Sequence, residues 1–160
     1  MSAKALRTYL TDHLAGAAAA IELLDHLIKL HSESERRHFY QELRTEVVED
    51  RQVLQSILEQ VGGRESLVRQ AAAWVAEKLG EAKLLLDDPG DDQLRIMEAL
   101  ETLALGIQGK LSLWRALGAV QGAVPSLPAI DFSRLEQRAE AQFQRVDHER
   151  LHIAQAALAG

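Results

Sequence analysis

Hydrophobic residues recur at alternating intervals of three and four positions along most of the chain, which is the spacing of amphipathic α-helices. In the first segment this stripe consists of Leu6, Leu10, His13, Ala17, Ala20, Leu24 and Leu27. Turn and capping signals interrupt the pattern at 31–34, at Gly62 and Gly63, at 87–92 and at 122–131. The sequence therefore predicts five helices, at about 3–31, 34–61, 65–86, 91–121 and 131–158.

The lengths of these helices indicate how they pack. Four are nearly equal, each about 40 Å long at 1.5 Å per residue, and such helices form bundles. The segment 65–86 is shorter and lies where a crossover would be. The fourth helix has leucines on several faces, so we expect it to be the most enclosed. The predicted fold is one all-α domain over residues 1–160, a four-helix bundle of two antiparallel hairpins with a fifth, shorter crossover helix.

Composition and net charge argue against several classes of function. The net charge of −6 and the isoelectric point near 5.5 argue against a nucleic-acid surface, which needs clustered Lys and Arg. No apolar run of about 18 residues is present, so no membrane span is expected. The chain has no cysteine, which excludes disulfides and thiolate metal ligands. We expect a cytoplasmic protein whose candidate partner is a second copy in a homodimer.

Some acidic residues occupy positions where the helical pattern predicts apolar residues. Glu46 and Asp50 interrupt the stripe of the second helix, and Glu149 interrupts that of the fifth. Buried carboxylates are costly unless they are paired with a cation or bound to a metal. The sequence does not decide between a metal ion and a side-chain cation as the partner of these acids. Lys78 and Lys110 are the candidate side-chain cations.

A metal site is the first interpretation of these acids. Glu149 and His152 have the spacing Glu-x-x-His, which places both side chains on one face of a helical turn. Candidate ligands on the other helices are Glu22, Glu46 with Glu49, and Glu98 with Glu101. If the crossover returns the chain along the bundle, all these residues lie within about 9 Å of height. Carboxylate and imidazole donors suit iron or manganese.

The arrangement resembles the ferritin-like superfamily, which contains the ferritins and rubrerythrins. Four long helices in two hairpins, a long connection after the second helix and a carboxylate on each helix carry the resemblance over nearly the whole chain. It implies a di-iron or manganese centre for oxidase, peroxide-handling or storage chemistry, with Glu-x-x-His on two helices. Glu149 and His152 match this motif, whereas Glu49 stands where the family motif has a histidine after Glu46.

The alternative is a metal-free ferritin-like bundle that serves as an interaction or scaffold protein, its buried acids neutralised by Lys or Arg. A small-molecule pocket in the bundle core is a third interpretation, for which no single residue argues. Asp50 could also pair with its neighbour Arg51. We interpret His13 as a structurally satisfied histidine and Trp114 as a packing anchor.

Three local signals predict details of the helices. Gly106 and Gly109 in the fourth helix predict a close approach of two backbones, because glycine has no side chain to hold them apart. Gly62 predicts the left-handed end of the second helix. Capping-box spacings predict helix starts at two places, namely Ser32 with Glu35 and Ser133 with Glu136.

Overall fold

A computed structural model describes residues 2–31, 35–62 and 92–159, together with the isolated residues 73 and 77. Four long helices make up the regular structure of these ranges. They are α1 (Ser2–Leu30), α2 (Glu35–Gln60), α3 (Asp92–Val120) and α4 (Phe132–Ala159). Each boundary lies within one residue of its predicted position. The predicted crossover helix at 65–86 lies outside the described residues except for Ala73 and Glu77, which are helical.

The directions of the helices follow from contacts between α2 and α4. Arg36, near the start of α2, pairs with Glu149 in the second half of α4, whereas Glu49 pairs with Arg138 near the start of α4. α2 and α4 are therefore antiparallel. Because the connection at 121–131 makes α3 and α4 an antiparallel hairpin, α2 and α3 run in the same direction. This is the arrangement that the predicted crossover requires.

The helix ends confirm one capping prediction and correct another. Gly62 has φ +83°, as the prediction for the end of α2 requires, and its amide donates to Glu59 O at 3.2 Å. At the start of α4, the cap is Asp131, whose Oδ1 accepts from the Arg134 amide at 3.0 Å. The predicted capping box of Ser133 with Glu136 is wrong, because the helix already begins at Phe132. Ser32 lies outside the described residues.

The core is densest around α3, as predicted. Its buried residues are Ile96, Met97, Ala99, Leu100, Leu103, Ala104, Ile107, Leu111, Leu113, Trp114 and Leu117. Trp114 is fully buried and stacks on Phe132 with ring centroids 6.2 Å apart, which confirms it as a packing anchor. No helix among the described residues combines the length and apolarity needed to cross a bilayer.

α1 is less enclosed at Ala17 and Ala20 than at the leucines on either side of them. In α1, Leu10 and Leu24 are fully buried, but Ala17 and Ala20 between them are only half-buried. A Cβ atom built on Gly106 or Gly109 would meet no other atom within 4 Å. The predicted close approach of two backbones at these glycines is therefore wrong, and both face open space instead.

Candidate functional site: a polar network inside the bundle

An ion pair joins α2 and α3 at the middle of the bundle. Lys110 Nζ lies 2.6 Å from Asp50 Oδ2, and the two side chains are 15% and 4% exposed. Of the two candidate lysines that the sequence left open, Lys110 thus pairs with an interior acid, while Lys78 lies outside the described residues. The suggested pair of Asp50 with Arg51 is wrong, because the described cations that pair with Asp50 are Lys110 and Arg138, and Arg51 is exposed.

Gln142 of α4 completes the centre of this arrangement. It is fully buried, and its Oε1 accepts a hydrogen bond from Lys110. Its Nε2 donates to Glu46 Oε2 at 3.0 Å and to Asp50 Oδ2 at 3.2 Å. All hydrogen-bonding atoms of the amide therefore have partners, as a buried polar side chain requires.

Two arginines of α4 extend the network towards the surface. Arg145 Nη1 lies 2.8 Å from Glu46 Oε1, and Arg138 Nη2 lies 2.7 Å from Glu49 Oε2. Arg138 Nε also lies 3.5 Å from Asp50 Oδ1. We call the resulting set of side chains the polar network; it comprises Glu46, Glu49, Asp50, Lys110, Arg138, Gln142 and Arg145. Its three carboxylates face three cations, so its formal charge is zero.

Burial and pairing act in opposite directions on the ionisable groups of the network. Burial lowers the pKa of Lys110, and the neighbouring Asp50 carboxylate opposes that shift without cancelling it. Burial would raise the pKa of Glu46, but hydrogen bonds from Arg145 and Gln142 outweigh it and leave this pKa below its usual value. The Glu46 carboxylate is therefore ionised at neutral pH, and its charge is held by the arginine.

Glu149, the interior acid of α4, pairs with a cation outside the polar network. Glu149 Oε1 lies 2.9 Å from Arg36 Nε, and the Glu149 side chain is 17% exposed. The hydroxyl of the fully buried Tyr40 nearby has no hydrogen-bond partner among the described residues. Burial raises the pKa of this Tyr40 hydroxyl, and the Glu149 charge raises it further. The site thus holds an un-ionised phenol beside an ion pair.

The residues predicted to bind a metal do not converge in the structure. Glu46 and Glu149 are half-buried, and each is paired with an arginine as described above. The remaining candidates are exposed, namely Glu22, Glu49, Glu98, Glu101 and His152. No group of three His, Asp or Glu side chains among the described residues stands close enough to hold a metal ion. As placed, these residues do not fit a shared centre, and the metal site stays a prediction.

The cations of α4 were missed from the sequence, although a signal for them is present. Arg138, Gln142, Arg145 and Glu149 follow one another at intervals of four, three and four residues. This spacing places all of them on one face of a helix. Acidic residues on one face of α2 and two arginines on one face of α4 indicate pairing between those two helices.

No protein-family model, curated protein or solved structure matches this chain. The resemblance to the ferritin-like superfamily therefore depends on the arrangement of helices and carboxylates alone and stays a prediction. What the described residues define is the broader class, an all-α bundle of four long helices.

Proposed function

We propose that this protein is a metal-free helical bundle that serves as an interaction or scaffold protein, with side-chain cations in the place of a metal centre. The observation that carries the proposal is the neutralisation of Asp50, the most buried carboxylate of the described residues, by Lys110 at 2.6 Å. An ammonium group at this distance takes up the position next to the carboxylate that a metal ion would need. Glu46 and Glu149 are likewise held by arginines.

The interaction surface that we expect is an apolar face near the end of α4. Leu151 and Leu158 are 52% and 68% exposed, and their separation of seven residues places them on one face of the helix. Apolar residues seven positions apart have the spacing that helix contacts between chains use. Neither residue carries a charge that would select a charged partner, so a second copy of this chain is the partner that we infer.

The metal-free interior is tested by metal analysis of protein grown in iron-rich and in manganese-rich medium. We expect less than about one metal ion per ten chains and an unchanged melting temperature after treatment with a chelator. The variant Glu46→Ala should lower the melting temperature with no change in metal content. A stoichiometric metal that is lost together with stability in Glu46→Ala would instead support the ferritin-like metalloprotein.

The homodimer is tested separately by light scattering. We expect the mass of a dimer for the unmodified chain and of a monomer for the double variant Leu151→Ser, Leu158→Ser. The matched control is Leu105→Ser, which removes a leucine that is 74% exposed on α3. A monomer for the unmodified chain would contradict the dimer and leave the metal-free interior standing.

A further inference from the structure

Two histidines of α4 lie four positions apart on the outer surface of the bundle. His148 and His152 are both exposed, and neither makes a hydrogen bond or an ion pair with another described residue. Positions i and i+4 of an α-helix are neighbours on one face, with Cβ atoms about 5–6 Å apart. Two imidazoles at this spacing can bind one metal ion together. The pair therefore has the geometry of a two-ligand chelate.

Space for an ion and its solvent lies beside this pair. His148 lines an open groove between α2 and α4, together with Phe39, Ala141 and Gln144 among others. The groove has a volume of about 430 Å³, whereas one water molecule needs about 10–15 Å³ on the same scale. A metal ion on His148 can therefore keep water in the coordination positions that the two imidazoles leave open.

The charged residues around the two histidines leave room for an added cation. Four of them lie on α4 within one turn of His148 or His152, and each is already paired. The pairs are Arg145 with Glu46, Asp147 with Arg150, and Glu149 with Arg36. Because each arginine is compensated by a carboxylate, no unpaired arginine there repels a metal ion. The two imidazoles are the groups without a partner.

The five residues from His148 to His152 also match the pattern His-Glu-x-x-His. In zinc-dependent peptidases this pattern supplies two zinc ligands and a glutamate that acts as general base. The glutamate here, Glu149, is held by Arg36 at 2.9 Å and is only 17% exposed. No third His, Asp or Glu side chain joins the pair among the described residues. The surroundings therefore favour binding of a metal ion without the hydrolytic reaction.

The type of ligand limits the ions that the pair can bind. Imidazole nitrogens suit zinc, copper and nickel, whereas magnesium and calcium prefer oxygen ligands. We propose that His148 and His152 together bind one zinc-class divalent ion on the surface of each chain, with water in the remaining positions. Half of the usual four ligands predicts a Kd for zinc on the order of 10–100 µM.

A site of this strength is compatible with the metal-free interior proposed above. An ion that is held so weakly leaves during purification, and the two histidines lie outside the bundle core. The proposal goes beyond the scaffold function, and it needs no second copy of the chain.

The first experiment titrates zinc and magnesium into the full-length protein and follows the NMR signals of its six histidines. We expect saturation at one zinc ion per chain, with the largest shifts at His148 and His152 and no shifts with magnesium. His148→Ala and His152→Ala should each weaken zinc binding by about tenfold or more, because a single imidazole cannot chelate. The matched control His38→Ala removes an exposed histidine of α2 and should leave the affinity unchanged. An equal loss in His38→Ala would overturn the assignment.

The second experiment tests the spacing while the number of histidines stays constant. His152→Ala combined with Gln144→His again places two histidines four positions apart, so the zinc affinity should return to within about threefold of that of the unmodified chain. His152→Ala combined with Gln155→His places them seven positions apart, about 10 Å along the helix, and binding should stay weak. Gln144 and Gln155 are both exposed, so neither change disturbs the core.

A third measurement separates this site from the homodimer. The double variant Leu151→Ser, Leu158→Ser, which we expect to be monomeric, should bind zinc as the unmodified chain does. One zinc ion per two chains would assign the ligands to two copies and overturn the single-chain site. No zinc binding by the unmodified chain, or equal affinities of the two spacing variants, would also overturn the proposal.

Discussion

Lys110 Nζ lies 2.6 Å from Asp50 Oδ2 although the two residues are 60 positions apart in the chain. The pair joins the hairpin of α1 and α2 to the hairpin of α3 and α4 at a place that water hardly reaches. Such a pair contributes little net stability when complete, but the loss of one partner leaves a buried charge without compensation. The interior of the bundle is therefore sensitive to single substitutions in this network.

Removal of the lysine should show this sensitivity. We expect Lys110→Met to lower the free energy of unfolding by about 3 kcal/mol, because Asp50 keeps only the more distant Arg138 as a cation. The double variant with Asp50→Asn should recover most of the loss, because an amide carries no charge and can donate to the freed Gln142 oxygen. Urea unfolding measures both. Arg51→Met, at an exposed position, serves as the control, and an equal loss there would contradict the assignment.

A charge introduced at the buried amide of Gln142 should destabilise the folded protein. Gln142→Glu replaces a donor by a carboxylate beside Glu46 and Asp50, which now accept from Nε2 at 3.0 and 3.2 Å. We expect the variant to lose about 2–3 kcal/mol of unfolding free energy at pH 7 and to recover part of it near pH 5, where the new acid protonates. Gln144→Glu, exposed on the same helix, should change stability by less than about 0.5 kcal/mol.

Stability should fall with acid in two separate ranges. The pKa of His13 lies below 6.5 in the folded chain because of burial, so below pH 6.5 the unfolded chain takes up a proton that the folded chain does not. The pKa of Glu46 lies below 4.5 in the folded chain, so its contribution is present above pH 4.5 and is lost as the pH falls through the folded value. Urea midpoints between about pH 2 and 8 measure both losses.

A variant of His13 distinguishes the two pH ranges in which stability is lost. His13→Gln should remove the loss just below pH 6.5 and keep the loss at lower pH, because Glu46 and its partners are untouched. His38→Gln is the matched control, since His38 is exposed at 74% of its side chain. A profile that changes equally in both variants would contradict the role of buried His13.

The cap of α4 gives a further, local prediction. Asp131→Ala should lower the free energy of unfolding by about 1 kcal/mol, because the Arg134 amide loses the acceptor that now lies at 3.0 Å. Ser133→Ala should have almost no effect, since Ser133 lies inside the helix and is exposed. Thermal and urea unfolding of both variants measure the difference. A larger loss of unfolding free energy for Ser133→Ala than for Asp131→Ala would instead identify Ser133 as the cap, as expected from the sequence.

The helices could be predicted closely from the sequence because their signals are local. The stripe of apolar residues, the glycine at 62 and the turn residues at 122–131 act within a few positions, and each of the four described helices ends within one residue of its expected place. The cap of α4 was misplaced because Asp131 and Ser133 are both good capping residues. Only the backbone position of Phe132 decides between them.

The partners of the interior acids were harder to predict, because the choice depends on distances between helices. A buried carboxylate at position 50 or 46 indicates a cation but not which one. Lys110 was expected among the candidates, whereas Arg138 and Arg145 of α4 were not considered. A pocket in the bundle core was an open alternative without a residue to argue for it, because Gly106 is equally compatible with close packing and with open space.

Every ion pair that the structure describes between the two hairpins ends on α2. The other contacts that the structure describes between the hairpins are apolar packing and hydrogen bonds from Arg138 and Gln142 to α2. The acids of α2 and the cations that face them thus set how the two hairpins are aligned, although both residues 1–62 and residues 92–160 carry a net negative charge. The alignment therefore depends on a few local pairs and not on the overall charge of either hairpin, and salt should weaken the exposed pairs more than the buried one.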